Sequence, residues 1–285
     1  MIYFLGLDML EPYHFAFFRN GVVVSTIAGG LCGFLGVFVV LRGMSYIGHG
    51  LSHAVFGGAA ASSVMGLNYF VGAGVWGVWS GVLIGRIARR RIIGADAAIG
   101  VVTTASFALG LALLNRYGQA KKSIEAVLFG SVLGVKTGDI VAVAIVAVIV
   151  VVIVVVAYRK MVFATFDPEV AEVTGVQVQW IEALLMVMLS MTILVTMRVI
   201  GTLLISALLV IPASIARMTT NSIARMLWVS PAIGAGSGFL GMNLAYHFDT
   251  SVSATIILVA AAVFVVVYAT NGVRGRVRIA GLHHV

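Results

Sequence analysis

Long apolar runs, broken by short charged or glycine-containing interruptions, dominate the chain from residue 15 to residue 270. Nine of them approach the roughly 20 residues that a helix needs to cross a hydrocarbon layer: 15–41, 46–67, 69–87, 95–114, 139–157, 181–199, 202–216, 227–248 and 252–270. The glycine-rich second run and the short seventh are the weakest, so the pattern predicts eight or nine crossings. The stretch 141–156 is almost wholly Val, Ile and Ala, has no polar side chain to offer a solute, and reads as a peripheral, lipid-facing helix. Glycines gather inside the runs: Gly29, Gly30, Gly33 and Gly36, then Gly48, Gly50, Gly57 and Gly58, and later Gly234, Gly236, Gly238 and Gly241. Small residues at such positions let helix backbones approach closely within a bilayer.

Composition sharpens this picture. Of 285 residues, 61% are hydrophobic and 10% charged, with a mean hydropathy of +1.12, too apolar for a water-soluble enzyme of that length. The fold class is therefore all-α, a polytopic helical membrane protein, with residues 1–285 as a single transmembrane domain. The net charge of +8 sits in clusters: Arg86, Arg89, Arg90 and Arg91; Arg159 and Lys160; Arg217 and Arg225; Arg274, Arg276 and Arg278. The tendency of Lys and Arg to stay in the cytoplasm orients the chain with its N-terminal side outside and its C-terminal side inside. Lys121, Lys122 and Lys136 then fall outside, beside a stretch, 123–135, that reads as a short interfacial helix. No polar domain exists to carry a basic groove, which excludes nucleic acid as a partner. Residues 1–13 hold Asp8, Glu11 and Pro12 without a basic start, unlike a cleaved signal peptide. The single cysteine, Cys32, excludes an internal disulfide and a cysteine-based metal cluster, and reads as a buried packing thiol.

Ionisable groups inside a span are costly and so mark candidate sites. His49 and His53 in the second run are four residues apart, which puts both imidazoles on one helix face, one turn apart. Either they are two nitrogen ligands for a transition metal, or each bonds a backbone carbonyl within the bundle. As ligands they need completion by another helix, by water, or by Ser45 or Ser52. Counted from Arg42, the pair lies a turn or two inside the membrane, unless the helix breaks at Gly43, Gly48 or Gly50. At the opposite end His247 and Asp249, with Asp8, Glu11 and His14, form a possible entrance site for a cation; alternatively they are solvated loop groups, Asp249 capping the helix that begins near Val252. His283 and His284 end a basic tail. The acids Asp96, Glu125, Asp139 and Glu182 stand at predicted ends, where capping or snorkelling explains them. No nucleotide-binding Gly-Lys-Ser/Thr loop, His-Glu-x-x-His or Gly-x-Ser-x-Gly occurs, so no catalytic residue is assigned and the chain reads as a transport subunit, not an enzyme.

Residues 164–176 stand apart as a short cytoplasmic helix between two spans. Asp167 is placed to cap it, Pro168 takes the first helical position, Glu169 and Glu172 follow, and Gly175 ends it. A capped helix of this size suits docking onto a soluble partner, and its three acids disfavour a resting place on anionic headgroups.

Several stretches together resemble the permease subunits of metal-type ABC importers, the zinc and manganese uptake family of bacteria. They are Val39, Leu41-Arg42, Met44-Ser45-Tyr46-Ile47-Gly48 and Ser52-His53-Ala54; Asp96 with Ala98-Ile99-Gly100; Leu128-Phe129-Gly130-Ser131; Phe166-Asp167-Pro168-Glu169 with Ala171 and Gly175; and LLISALLVIPA at 203–213. The resemblance implies the ABC importer permease fold. It also implies a second copy of the chain, two ATP-binding subunits that carry out hydrolysis, and an extracytoplasmic metal-binding protein that delivers the ion, all at a bacterial cytoplasmic membrane. The implied cargo is a divalent ion, zinc or manganese and possibly iron, with no permanently bound cofactor. Phe166, Asp167, Pro168, Glu169, Ala171 and Gly175 become the ATPase-coupling segment. The family's membrane metal site includes an Asp and a His four residues apart on the second span. His53 matches the His, but His49 stands where the Asp is expected: either the exchange of a hard anionic oxygen for a neutral nitrogen weakens manganese binding relative to zinc, or the ion is held by more water or by a different acid. A secondary transporter driven by an ion gradient is the alternative; it calls for matching interrupted helices in two halves, and no convincing repeat is visible.

Overall fold

The computed structural model describes residues 11–89, 92–117 and 134–281. Among these residues a 3-10 turn, Glu11–His14, precedes ten α-helices. They are α1 (Ala16–Leu41), α2 (Ile47–Val64), α3 (Tyr69–Arg89), α4 (Ala95–Tyr117), α5 (Thr137–Phe166), α6 (Pro168–Val173), α7 (Val178–Ile200), α8 (Thr202–Thr219), α9 (Ile223–His247) and α10 (Val252–Gly281). Nine are long, one for each apolar run, and α6 is the short helix expected between the fifth and sixth. By length and composition six of the described helices suffice to cross a membrane, and α2, α8 and α9 are not among them.

The weak apolar signal of α2 follows from its place. It is enclosed by α3, α4, α7 and α8, with its glycines and Ser52 and Ser62 buried among them, so most of it never meets lipid. The helices α1 and α7 are likewise buried along most of their length, with Leu185, Met186, Leu189 and Ile193 fully enclosed on α7. The helices α5 and α10 form the periphery. On α5 the residues Val148, Ile149, Val152, Val155 and Val156 are exposed while Val143, Val150 and Val154 face the bundle, as the run of β-branched residues predicts.

The most extensive helix pair is α1 with α9, and glycine makes it possible. A Cβ placed on Gly29 would stand 2.2 Å from the carbonyl oxygen of Gly234, and one on Gly33 would stand 2.6 Å from that of Ser230. Ser230 Oγ donates across the same interface to the Gly33 carbonyl at 2.6 Å, giving a buried polar link between the closely packed backbones. Cys32 is fully enclosed nearby.

Three expectations change. The fifth apolar run was bounded at 157 by Arg159 and Lys160, but α5 continues to Phe166. Charge ends the membrane-embedded part of a helix, not the helix itself. Phe166 is therefore the last residue of α5, and the separate helix of the 164–176 segment is only Pro168–Val173. Asp249 does not cap α10: at φ +50° it occupies a left-handed position that closes α9, and its amide bonds the Tyr246 carbonyl at 3.4 Å. A short polar side chain tolerates that conformation better than most. Glu182 does not snorkel; it pairs inward with Arg42. Asp139 does cap, accepting from the Lys136 amide at 3.0 Å.

Interhelical contacts sort the helix ends into two groups. Arg42, Arg89, Thr165, Glu172 and Glu182 meet at one end of the bundle. At the other, Tyr13 Oη donates to Asn243 Oδ1 at 2.9 Å, Asn20 Nδ2 to the Val135 carbonyl at 3.3 Å, and Ser253 Oγ to the Ile200 carbonyl at 3.0 Å. Asp8, 123–133, Arg90, Arg91, His283 and His284 lie outside the described residues.

Candidate functional site

The helix α2 begins after a turn at Gly43, whose φ of +67° admits glycine without strain. Gly48 and Gly50 do not interrupt it, so of the three possible breaks only Gly43 is used. His49 and His53 are thus the third and seventh residues of a regular helix, in its first two turns. His53 Nε2 lies 3.1 Å from His49 Nε2, and the rings stand edge to face with centroids 4.4 Å apart. One ring donates through its Nε2–H and the other accepts. The same arrangement points both nitrogens toward one spot. An ion about 2.0–2.1 Å from each, the usual zinc–imidazole distance, would see the 3.1 Å separation at an angle of about 100°. That lies between octahedral and tetrahedral values.

The pair forms one wall of a cavity of about 290 Å³ between α2 and α4. The opposite wall comes from Asp96, Gly100, Thr103, Thr104 and Phe107 of α4, and Tyr46 closes the side near the α1–α2 turn. Phe107 packs edge-on against the His53 ring, centroids 4.8 Å apart, and so fixes its orientation. Close approach of α4 depends on Gly57, where a Cβ would stand 2.3 Å from the Ser106 carbonyl oxygen, and on Gly50, where it would stand 2.5 Å from Ile99 Cγ2. Ser52 is not available to the cavity, because its hydroxyl is buried and donates to the Gly48 carbonyl at 2.7 Å. Asp96, by contrast, lines it. Sequence reasoning had set Asp96 aside as a helix-end acid, although it heads the Asp96, Ala98-Ile99-Gly100 stretch. Among the described residues no three His, Cys, Asp or Glu side chains come together as a metal-binding group. A third His, Cys, Asp or Glu ligand for an ion at this pair is thus not in place among the described residues, which leaves the rest of its shell to hydroxyls, carbonyls, water or groups outside them.

The other candidates are placed as follows. His247 donates from Nδ1 to the Asn243 carbonyl at 2.8 Å, since a carbonyl only accepts, and this leaves Nε2 as the free lone pair. Asn243 also receives Tyr13 Oη, so the Glu11–His14 turn and the His247–Asp249 corner share one end of the bundle. In the 164–176 segment, Asp167 Oδ1 accepts from the Val170 amide at 3.0 Å and Pro168 begins the helix. Gly175, at φ +86°, receives the chain in a left-handed turn while its amide bonds the Glu172 carbonyl at 3.0 Å. Ala171 is fully buried, whereas Phe166, Val170 and Val173 are exposed at 58%, 46% and 89%. Such an apolar face on a polar, capped helix is a docking surface in form.

Beside α6, Arg42 Nη1 stands 3.7 Å from Glu182 Oε1 and Arg89 Nη1 stands 3.9 Å from Glu182 Oε2, while Arg89 Nη2 bonds Glu172. Burial lowers the proton affinity of the Arg42 guanidinium and Glu182 offsets this.

The ABC 3 transport family matches residues 14–271 of the chain. The chain belongs to the ABC 3 transport family. It is 33% identical over 264 residues to the manganese transport system membrane protein MntC of Listeria innocua, covering 93% of each chain. It is also 33% identical over 268 residues to a probable iron transport system membrane protein of Haemophilus influenzae, covering 94% of this chain and 98% of that one. Among solved structures, the complex of PsaBC from Streptococcus pneumoniae with Fab contains a chain with a TM-score of 0.80 and 33% identity, covering 94% of this chain and 95% of that one. The helical architecture of this ABC 3 family protein is thus that of a multi-pass transport permease, the family whose motifs its sequence carries.

Proposed function

We propose that this chain is the channel-forming subunit of an ATP-driven importer of divalent transition-metal ions, and that His49 and His53 receive the ion on its way through. The convergence of the two Nε2 atoms, 3.1 Å apart on the wall of a cavity, is the observation that carries this reading. Two neutral nitrogens with water completing the shell hold an ion without the charge that would trap it, as a conducting site requires. The manganese and iron systems to which the relatives belong support a transition-metal cargo; the second imidazole in place of an aspartate adds zinc to the candidates.

In this reading the ion arrives from an extracytoplasmic binding protein at the His247–Asp249 end. It passes between two copies of the chain and leaves at the Arg42 end. Two ATP-binding subunits dock on the two α6 helices through Phe166 and the Asp167–Gly175 segment, and their closure on ATP drives the switch between outward- and inward-facing states. The membrane is the bacterial cytoplasmic one.

Elemental analysis of cells expressing the whole transporter, starved in turn of zinc, manganese and iron, tests this. His53→Ala is expected to reduce accumulation of the carried metal at least tenfold while the complex purifies in normal yield. Undiminished uptake removes the histidines from the path. Uptake that survives ATP depletion but not collapse of the ion gradient replaces the importer by a secondary transporter.

A further inference from the structure

The ion-pair chain at the α6 end of the bundle has no part in holding the ion, yet it joins four separated pieces of sequence. Arg42 follows α1, Arg89 ends α3, Glu172 lies in α6 and Glu182 in the first turns of α7. The group surrounds a cavity of about 380 Å³ whose floor includes Met44 and Met186 and whose outer rim is Pro168 and Glu169. Its two halves differ. The Arg42–Glu182 pair is internal, with side chains 9% and 23% exposed, and Arg42 Nε is further fixed on Thr165 Oγ1 at 3.2 Å. The Arg89–Glu172 pair is external, at 30% and 48%. Arg89 therefore bridges a fixed inner carboxylate and an outer one carried by α6.

This matters because α6 is otherwise loosely attached. Only Ala171 of its six residues is buried, and it packs on the ends of α5 and α7, its neighbours in sequence. A push on its exposed face can travel into α5, which is peripheral, or along α7, or through Glu172 to Arg89 and so to α3. The last two routes both reach α2, and the α3 route does so through a single side-chain link. Along it α3 and α2 are meshed without slack: a Cβ on Gly58 would stand 2.7 Å from the Gly72 carbonyl oxygen, and one on Gly77 would stand 2.6 Å from Val55 Cγ2. Helices this close slide or tilt as one body.

We propose that Arg89 is a positioning residue for transport: through Glu172 it transmits the displacement of α6 to α3, and through α3 to the His49–His53 wall of α2. The proposal rests on the reading of α6 as the surface that meets the ATP-binding subunits. An exposed ion pair adds little to folding stability, so the loss of this one falls on coupling and not on assembly.

The test uses the complete transporter in liposomes with two readouts. The first is metal moved per ATP hydrolysed, relative to wild type. Arg89→Gln and Glu172→Gln are each expected to lower that ratio at least fivefold while hydrolysis stays within twofold. The double variant should lose no more than either single one, and Arg89→Lys should recover at least half of the ratio. The second readout is independent of the cargo: the labelling rate of a thiol at Thr104→Cys, on the cavity wall opposite the histidines, in a chain whose native Cys32 is enclosed. ATP should change that rate severalfold when Arg89 is present and leave it unchanged in Arg89→Gln. If wild type shows the ATP-dependent labelling change but moves no metal, the proposed cargo fails and Arg89 is still judged by the labelling. A metal-to-ATP ratio that stays at the wild-type value in Arg89→Gln overturns the assignment. So does a proportionate fall of hydrolysis, uptake and yield together, or an ATP response of Thr104→Cys that survives the substitution.

Discussion

The two imidazoles of α2 differ from a histidine–aspartate pair in charge before they differ in shape. A carboxylate favours hard ions such as manganese, whereas a second nitrogen favours zinc and its neighbours. His49→Asp is accordingly expected to raise manganese accumulation relative to zinc by tenfold or more in competition uptake, with His53 and the cavity unaltered. An unchanged preference places selectivity elsewhere, on Asp96 or outside this chain. The i, i+4 spacing made the pair legible in the sequence, because one helical turn is all that brings the rings together. The partners of the pair were not legible. Asp96 and Phe107 face it from a helix more than forty residues away, and no local period records which helices touch. The same holds for Glu182, which reads as a terminal acid until α1 and α3 bring two guanidinium groups to it.

Among the elements, α6 was the most readable because its signals are all short-range: an Asp cap, a proline in the first turn and a glycine after the end. Replacing the cap isolates its contribution. Asp167→Ala leaves the Val170 amide without its acceptor, at a cost of about 1 kcal/mol. Hydrogen exchange at that amide should then speed up about fivefold, with no change at α7. Equal exchange in the variant would mean that packing of Ala171 alone holds the helix. The end of α5 was misjudged for the complementary reason. Hydropathy reports where lipid stops, and a helix whose backbone bonds are internally satisfied can run on into water.

For the whole molecule, the apolar pattern gave nine long helices but not their arrangement. The interior position of α2 accounts for its composition, since glycine and serine are used there to meet other helices instead of lipid. If all nine long helices cross, the tendency of arginine clusters to stay in the cytoplasm predicts which loops face which compartment. A cysteine at Thr250, between α9 and α10, should react with a membrane-impermeant thiol reagent applied to intact cells. One at Asn221, between α8 and α9, should react only after permeabilisation. The enclosed Cys32 gives no background. Reversal of the two results would invert the molecule and with it the direction of transport.

The nine helical residues by which α5 outlasts its apolar stretch amount to about 13 Å at 1.5 Å per residue. Each headgroup layer is only about 5–8 Å deep, so on the proposed reading, with α5 upright, α6 would stand on a pedestal clear of the lipid and offer its landing pad to a partner that need never graze the bilayer. A pedestal of this kind is also an angular gauge: removing one residue from 158–163 would rotate the pad by about 100° and aim it at empty water, with every residue of the pad itself intact.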